Sequence, residues 1–277
     1  MLCGVYSDYS FRKIDVCSEF LHSCTMENKE IEWLLTEKYH GVKSDAFYAD
    51  CKRLALGEPL AYLIGFTPFL DCTIWLDSHP LIPRTETEFW VERAIETFKN
   101  GTTLSLGLAE KSIRVLDLCA GSGCIGIAIA KALPEAHVSF SEIDAGHIPT
   151  IEKNLRENGI PPKRYALFQT SLYKDIPDTF DVIFCNPPYI DQSLNRTDES
   201  VVTNEPHLAL YGGKEGMEII KQLITQTPAH LKPGGQLWIE HEPEQVVKIA
   251  IAAERNGLTS ETLKDQYDVD RVSVLHY

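Results

Sequence analysis

The segment 113–132 constrains the fold of this chain more than any other. It starts with an apolar run, Ile113–Leu118, passes through the turn C-A-G-S-G at residues 119–123, and ends in a second apolar run, Ile125–Ala132. This pattern predicts a buried strand, a glycine-containing turn and a helix that begins near Gly123. Glycines let the backbone approach a ligand closely, and the start of a helix offers unpaired N–H groups. We therefore expect a ligand-binding turn here.

Strand and helix patterns alternate from this segment to the end of the chain. Helical patterns include Glu86–Lys99 and segments that begin near residues 123, 147, 216 and 243, and strand patterns lie near Ile113, His137, Tyr165, Phe180, Gly235, Gly257 and Arg271. Such alternation predicts an α/β fold, a seven-stranded and largely parallel sheet with helices on both faces. Ligands of such sheets bind beyond the carboxyl ends of the strands.

An acidic residue stands where a nucleotide-type ligand would need it. Glu142 ends the second strand pattern, 21 residues after Gly121. A carboxylate about 20 residues past a glycine turn is the usual acceptor for ribose hydroxyls. The full dinucleotide fingerprint is absent, because Cys119 stands where its first glycine would be. The glycine turn alone is weak evidence, and the acidic strand end strengthens it.

A second motif, D-V-I-F-C-N-P-P-Y, covers Asp181–Tyr189. Its apolar part predicts a strand that stops at Asn186. Because a proline follows it, Pro187 adopts an extended backbone, which points its carbonyl outward. That carbonyl and the Asn186 side-chain oxygen can together accept both hydrogens of one NH2 group. The motif predicts a site that grips an amide or exocyclic amine, although Asn-Pro and Pro-Pro also occur in ordinary turns that end strands.

Together these motifs resemble the S-adenosylmethionine-dependent methyltransferase superfamily. More narrowly, the chain is similar to the protein-(glutamine-N5) methyltransferases that modify peptide-chain release factors. N-P-P-Y is shared with enzymes that methylate adenine or cytosine amino groups, whereas other segments are more specific to the glutamine enzymes. Those segments are G-E-P-L-A-Y-L-I-G-F at 57–66, I-P-R-T-E-T-E at 82–88 and E-P-H-L-A-L-Y-G-G-K-E-G at 205–216.

The resemblance implies roles for individual residues. The cofactor-binding residues that it implies are Asp117, Cys119, Ala120, Gly121, Ser122, Gly123, Glu142, Ser171, Leu172 and Asn186. Among them, residues 119–123 would wrap the methionine part of S-adenosylmethionine, Glu142 would bind the ribose, and Leu172 would contact the adenine. The implied catalytic residues are Asn186, Pro187 and Tyr189, and these with Pro188 would bind the substrate. No metal site is implied.

Three positions depart from the family pattern. The family usually has glycine where this chain has Cys119, and an acidic residue where it has Ser171. We expect Cys119 to require an ordinary backbone conformation, and Ser171 to remove an acceptor for the adenine amino group. Many relatives also have glycine where this chain has Asp268, to which we assign no function.

Composition places the chain among ordinary globular proteins. Apolar residues make up 44% and charged residues 24%, and no apolar run approaches the ~20 residues that span a membrane. The N-terminus lacks the charged start and apolar core of a signal peptide. The eight cysteines form no C-x-x-C pair or zinc pattern, and several lie in apolar contexts. We expect buried free thiols, a cytoplasmic location and no contact with membranes.

The net charge of −14 bears on the choice of partner. Proteins that track nucleic-acid phosphates normally carry a basic face. After N-P-P-Y, residues 190–215 contain two cationic residues and five acidic ones. This segment suits a basic protein loop better than DNA, although a solvated acidic loop explains the counts equally well.

The domain organisation follows from composition and pattern. We predict a helical N-terminal domain over 1–68, which recognises the substrate or braces the enzyme, and a β-hairpin linker over 69–85. The methyltransferase domain covers 86–277, and residues 100–111 form a loop within it.

The resemblance implies a complete reaction. The chain would transfer a methyl group from S-adenosylmethionine to the side-chain amide of glutamine in the Gly-Gly-Gln motif of class 1 peptide-chain release factors. We expect a monomer with no direct nucleic-acid partner. One rival function is methylation of adenine in DNA or RNA, and a second is a non-catalytic, cofactor-binding module associated with translation.

Overall fold

The computed structural model describes residues 28–99 and 112–277. The helices expected before residue 28, the loop expected at 100–111 and the cysteines 3, 17 and 24 lie outside these ranges. The chain divides into two compact units, one that ends at Ile64 and one that spans Gly65–Tyr277. Within the described residues no helix is long and apolar enough to span a membrane.

The described α-helices are short to medium in length. In chain order they are α1 (Asn28–Trp33), α2 (Asp45–Ala55), α3 (Leu60–Ile64), α4 (Thr85–Lys99), α5 (Cys124–Ala132), α6 (Ile148–Glu157), α7 (Glu199–Asn204), α8 (His207–Leu210), α9 (Glu218–Gln226) and α10 (Val246–Arg255). The strands are β1 (Phe66–Phe69), β2 (Cys72–Trp75), β3 (Arg114–Leu118), β4 (His137–Glu142), β5 (Tyr165–Gln169), β6 (Phe180–Cys185), β7 (Leu231–Glu240), β8 (Thr259–Lys264) and β9 (Asp270–His276).

The first unit is helical where it is described. After α1 the helix continues as a π-helical turn, Leu34–Lys38, and α2 begins where the Ser44 hydroxyl accepts the Phe47 N–H. Apolar side chains from these segments and α3 form a core of their own. Asp50 is buried beside this core and accepts hydrogen bonds from Lys38 and Tyr39, so its charge is paired.

A β-hairpin opens the second unit. Strands β1 and β2 pair antiparallel from Phe66 to Trp75. The hairpin therefore begins and ends earlier in the chain than the predicted linker 69–85. The fully buried Asn154 of α6 accepts the Trp75 N–H at 2.7 Å and donates to the Ser122 carbonyl at 2.9 Å. The hairpin is therefore tied to the glycine turn rather than left as a free linker.

The main sheet confirms the predicted fold class. Its seven strands lie in the order β5-β4-β3-β6-β7-β9-β8. The first five of these are parallel neighbours, and β9 runs antiparallel to both of its neighbours, β7 and β8. Every residue of β6 is buried, as expected for a central strand that is covered on both faces.

The register brings the ends of the central strands level with one another. Cys185 at the end of β6 pairs with Leu118 at the end of β3 and with Ile239 of β7, and Leu118 pairs with Ser141 of β4. The residues that follow these positions therefore meet at the carboxyl edge of the sheet, where ligands of such folds bind.

Candidate active site

A cleft lies at this carboxyl edge. Eight of the ten residues predicted to bind the cofactor line it: Cys119, Ala120, Gly121, Ser122, Glu142, Ser171, Leu172 and Asn186. Further residues line it that were not predicted as site residues, among them Leu81, Arg84, Thr87 and Leu208, although the last three lie in the segments 82–88 and 205–216. Leu172 is buried and Ser171 is exposed, so the cleft has an apolar wall beside a polar rim.

The turn after β3 corrects one expectation. Cys119 has φ = 60°, in the left-handed region that favours glycine, and not the ordinary backbone expected of a cysteine. Gly121 and Gly123 also have positive φ, because the chain must reverse between β3 and α5 within five residues. The turn closes through a 2.7 Å hydrogen bond from the Gly123 N–H to the Ala120 carbonyl. A side chain at position 119 therefore strains the turn.

Glu142 fixes the glycine turn to the end of β4. One of its carboxylate oxygens accepts the Gly121 N–H at 2.7 Å, and the other accepts the Asp144 N–H at 2.8 Å. The residue is buried, yet it lines the cleft. A carboxylate oxygen has two acceptor positions, so each oxygen retains one for a ligand hydroxyl.

Asp117 and Gly123, the other two predicted cofactor residues, are not among those that line the cleft. Asp117 lies beneath the turn, where one oxygen accepts the Gly126 N–H at 2.8 Å and the buried Oδ1 has no partner among the described residues. The pKa of Asp117 is raised to about 8, mainly by burial and in smaller part by the nearby charge of Glu142. The hydrogen bond from the Gly126 N–H acts in the opposite direction.

The raised pKa of Asp117 predicts a pH-dependent stability. Folded Asp117 keeps its proton between the ordinary aspartate pKa and about pH 8, whereas the unfolded chain has released it there. The free energy of unfolding of the wild type, relative to Asp117→Asn, should therefore fall as pH rises through this window and level off above it. Urea denaturation of both proteins without ligand, at several pH values, measures this difference. A difference that is constant with pH would contradict the assignment.

The N-P-P-Y tetrapeptide lies between two cavities. Asn186 lines the cleft and also a second cavity, while Pro188 lines only the first and Pro187 and Tyr189 line only the second. Five carboxylates and three cationic side chains line the second cavity: Asp191, Asp198, Glu215, Glu242, Glu244, Arg84, Arg196 and Lys248. The second cavity is thus net acidic, and Asn186 stands in the wall between the two.

Two hydrogen bonds that the sequence did not predict hold Tyr189 in place. Its hydroxyl donates to the buried Glu240 at 2.9 Å, and its carbonyl accepts the Gln245 side-chain amide at 2.8 Å. Burial, with the neighbouring Glu240 charge, raises the pKa of Tyr189 well above its ordinary value. The ring is therefore held as a neutral phenol in one orientation.

Two of the segments specific to the glutamine enzymes meet beside Asn186. Glu205, in the segment 205–216, is buried and accepts the Arg84 guanidinium at 2.7 Å and the Ile82 N–H at 3.0 Å. Arg84 lines both cavities. Glu205 therefore holds the segment 82–88 at the place where the cavities meet, a role that spacing in the sequence did not indicate.

The glycines of the segment 205–216 allow a close backbone approach to N-P-P-Y. Gly216 has φ = 64°, and a Cβ there would overlap the Tyr189 carbonyl oxygen and the Gln245 amide. A Cβ on Gly212 would overlap the Pro188 carbonyl oxygen. These contacts explain why the segment carries glycine at positions 212 and 216.

The described cysteines 51, 72, 119, 124 and 185 are free thiols. Burial raises the pKa of Cys72 to about 11 and that of Cys185 well above its ordinary value. These two thiols therefore stay protonated and behave as small apolar side chains. In the described ranges no group of three or more His, Cys, Asp or Glu side chains is placed to hold a metal ion.

Comparison with known proteins places these observations in a family context. Residues 96–205 match the family model described as "Methyltransferase small domain". A release factor glutamine methyltransferase from Rhodopirellula baltica is 38% identical over 76% of this chain and 71% of its own length. A release factor glutamine methyltransferase from Xylella fastidiosa (strain Temecula1) is 30% identical over 95% of this chain and 92% of its own length.

A solved structure supports the fold alone. The ribosomal protein L11 methylase from Lactobacillus delbrueckii subsp. bulgaricus matches with a TM-score of 0.50 and 22% identity. The match covers 72% of this chain and 80% of that protein.

Proposed function

Since this chain belongs to the release factor glutamine methyltransferase family, we propose that it methylates the side-chain nitrogen (N5) of the Gly-Gly-Gln glutamine in class 1 peptide-chain release factors. The methyl donor in this proposal is S-adenosylmethionine, and the reaction tunes translation termination in the cytoplasm. The observation that carries the proposal is the position of Asn186, which lies in the wall between a deep cleft and a net acidic second cavity.

The cleft residues fit S-adenosylmethionine. Asp117 lies beneath the glycine turn and does not line the cleft, but its unpartnered, buried Oδ1 would pair with the cofactor's ammonium group once the carboxyl has released its proton. The Glu142 carboxylate retains acceptor positions for ribose hydroxyls, and the buried Leu172 supplies an apolar contact for a base. Cys119 to Gly123 would contact the methionine part, and Ser171 leaves the adenine amino group without an acidic acceptor.

Chemistry at an amide nitrogen needs help because its lone pair is delocalised into the carbonyl. When bound, S-adenosylmethionine supplies an electrophilic methyl group. The Asn186 Oδ1 and the Pro187 carbonyl accept the two substrate amide hydrogens, which stabilises the positive charge that develops on the nitrogen and aims its lone pair. The methylated nitrogen then releases one of its two hydrogens as a proton to water, and because a positively charged amide nitrogen is strongly acidic, no strong base has to contact it. Tyr189 packs its fixed ring against the flat substrate amide and attracts the positive charge.

The charge of the second cavity fits a protein loop better than a nucleic acid. Among its cationic side chains, Arg196 donates to Glu244 at 2.7 Å and Lys248 lies 2.9 Å from Glu215. Because these cations are already paired with carboxylates, little positive charge remains for phosphate. This arrangement disfavours the first rival function, methylation of adenine in DNA or RNA.

A labelled methyl-transfer assay tests the proposed function. Purified protein and labelled S-adenosylmethionine are incubated separately with release factor, with DNA and with RNA. We expect label only in the release factor, at the glutamine of Gly-Gly-Gln, as located by mass spectrometry of its peptides. Label in DNA or RNA would establish the first rival function. Cofactor binding without label in any substrate would establish the non-catalytic module.

Glu142→Ala tests the cofactor site. The substitution removes a charged acceptor for the ribose and the partner of the Gly121 N–H. Binding of S-adenosylmethionine should weaken by roughly 1–3 kcal/mol, the usual cost of losing hydrogen bonds to a charged group. Calorimetric titration measures the change, with Asp144→Ala as the control at the neighbouring exposed acid. An unchanged affinity in Glu142→Ala, with a loss in Asp144→Ala, would move the ribose acceptor to Asp144.

We also propose that the helical first unit recognises the release factor. Its core is separate from that of the second unit, so a protein that lacks residues 1–64 keeps the hairpin and the whole sheet. This deletion should leave cofactor binding intact and raise the KM for intact release factor more than that for a short Gly-Gly-Gln peptide. Steady-state kinetics with both substrates measure the two effects. Equal effects on both substrates would make the unit a brace instead.

A further inference from the structure

A buried carboxylate lies directly beside the tetrapeptide. Glu240 is the last residue of β7 and is 1% exposed. Cys185, the last residue of β6, pairs with Ile239 of the parallel strand β7. Asn186 and Glu240 are the residues that follow these two, so they lie at the same level of the sheet. The mechanism described above makes no use of this carboxylate.

Three donors from two directions satisfy Glu240. Its Oε2 accepts the Thr87 hydroxyl at 2.6 Å and the Trp90 indole N–H at 2.8 Å, both from α4. Its Oε1 accepts the Tyr189 hydroxyl at 2.9 Å. Thr87 is also buried, and it lines the cleft. The carboxylate therefore joins α4 to the end of N-P-P-Y.

Thr87 extends this network to Asn186. The Asn186 Nδ2 donates to the Thr87 Oγ1 at 3.2 Å. A hydroxyl has one hydrogen, and in Thr87 that hydrogen is given to Glu240, so its oxygen can only accept from Asn186. The two ends of an amide are nearly the same shape, and the hydrogen-bond partner decides which end faces it. The nitrogen must therefore face Thr87, and Oδ1 lies on the opposite edge of the amide.

We propose that Glu240 is a positioning residue that fixes the orientation of the Asn186 amide through the Thr87 hydroxyl. This inference rests on the proposed function, in which Asn186 Oδ1 accepts a hydrogen of the substrate amide. An Asn186 amide turned the other way would present its own NH2 to the substrate NH2, donor against donor. The same carboxylate holds the Tyr189 hydroxyl, so one residue orients both ends of the tetrapeptide.

The network can be dissected with variants of nearly unchanged shape. Thr87→Val removes the hydroxyl, and Thr87→Ser keeps it. Glu240→Met has a similar length but no acceptor for the Thr87 hydroxyl, which frees the Thr87 hydrogen for Asn186 and favours the reversed amide. Glutamine is not used, because its oxygen would stay on Thr87 and Trp90 while its NH2 faced the Tyr189 hydroxyl. The control is Asp181→Asn, a buried carboxylate at the opposite end of β6 that is bonded to Lys232 and to the Arg114 N–H.

Single-turnover methyl transfer to a Gly-Gly-Gln peptide should separate these variants. We expect Thr87→Val and Glu240→Met each to lower the rate by about tenfold or more, the effect of one lost hydrogen bond of about 1.4 kcal/mol. Thr87→Ser and Asp181→Asn should keep rates near that of the wild type. The double variant Thr87→Val/Glu240→Met should lose no more than the worse single variant, because both act through one chain of hydrogen bonds. Cofactor affinity should stay close to that of the wild type throughout.

A second readout reports the amide orientation itself. A Gly-Gly-Glu peptide offers a carboxylate, which an Asn186 amide with its NH2 toward the substrate can bind. In Glu240→Met the inhibition constant for Gly-Gly-Glu, relative to the KM for Gly-Gly-Gln, should shift toward Gly-Gly-Glu by about tenfold. A residue that only stabilises the fold would weaken both peptides together.

The outcomes separate this inference from the proposed function. Wild-type rates in both Thr87→Val and Glu240→Met, or losses that simply multiply in the double variant, would overturn the positioning role. If Glu240→Met does not fold, Thr87→Val compared with Thr87→Ser decides alone: equal rates would refute the role, and a loss only in valine supports it. If the wild type itself transfers no label to the peptide or to release factor, the proposed function has failed instead.

Discussion

Asn186→Ala is expected to lower the kcat for methyl transfer to release factor by roughly 10²–10³-fold, the usual effect of removing one preorganised hydrogen-bond partner from a developing charge. Asn186 stands between the two cavities, so its oxygen can reach a substrate amide while the cleft holds the methyl donor. Cofactor affinity should fall far less, because seven other predicted residues line the cleft.

Single-turnover transfer with purified, folded protein measures the Asn186→Ala effect. Asn256→Ala is the matched control, since that asparagine donates to the Ala252 carbonyl at the end of α10, away from both cavities. The control should retain the wild-type rate. A near-wild-type rate in Asn186→Ala would mean that N-P-P-Y is only a turn that ends a strand.

Gly216→Ala is expected to give the largest loss of stability, roughly 2–5 kcal/mol of unfolding free energy. About 1–2 kcal/mol comes from a Cβ at positive φ and about 1–3 kcal/mol from overpacking. The new Cβ would overlap the Tyr189 carbonyl oxygen and the Gln245 amide. The backbone of N-P-P-Y must then shift, so methyl transfer by the fraction that remains folded should slow as well.

Gly257→Ala provides a close match for this substitution. Gly257 also has positive φ (75°), but a Cβ there would meet nothing within 4 Å. It should lose only roughly 1–2 kcal/mol, the conformational part of the cost, and keep its activity. Denaturant unfolding and single-turnover transfer measure both variants. Equal losses in the two would show that the contact with Tyr189 has no consequence.

Much of the sheet could be predicted because its signals are local. The apolar run before Cys119 and the helix after Gly123 both lie within twenty residues, and alternation of such units allows few topologies. The positions of Glu142 and Asn186 followed from the same logic, since the strands of a parallel sheet end on one edge. The first and last residues of the hairpin were harder to predict, because its strands have only four residues each.

Conformation at single residues could not be predicted so well. A cysteine ordinarily avoids positive φ, and nothing near Cys119 in the sequence indicates that the turn overrides this preference. Asp268, the other position at which the resemblance implies glycine, has φ = 63° as well. At both positions the departure from glycine marks a residue that carries backbone strain and not a change in the path of the chain.

The supporting carboxylates were missed because their partners are remote in sequence. Glu240 lies 153 residues from Thr87, and Glu205 lies 121 residues from Arg84. Spacing patterns report neighbours on one helix or strand, and they contain no information about side chains brought together by the fold. The resemblance singled out the segment 82–88, but only the structure shows which residues this segment contacts.

The position of Asn186 in a wall shared by two cavities has a kinetic consequence. In the proposed function the methyl donor binds in the cleft and the glutamine in the second cavity, so neither has to leave before the other binds. We expect initial-rate plots that intersect, as for a ternary complex, and not the parallel lines of a ping-pong enzyme. A single molecule that joins a nucleoside to a glutamine side chain across this wall should bind more tightly than either half, because the second half binds at high effective concentration.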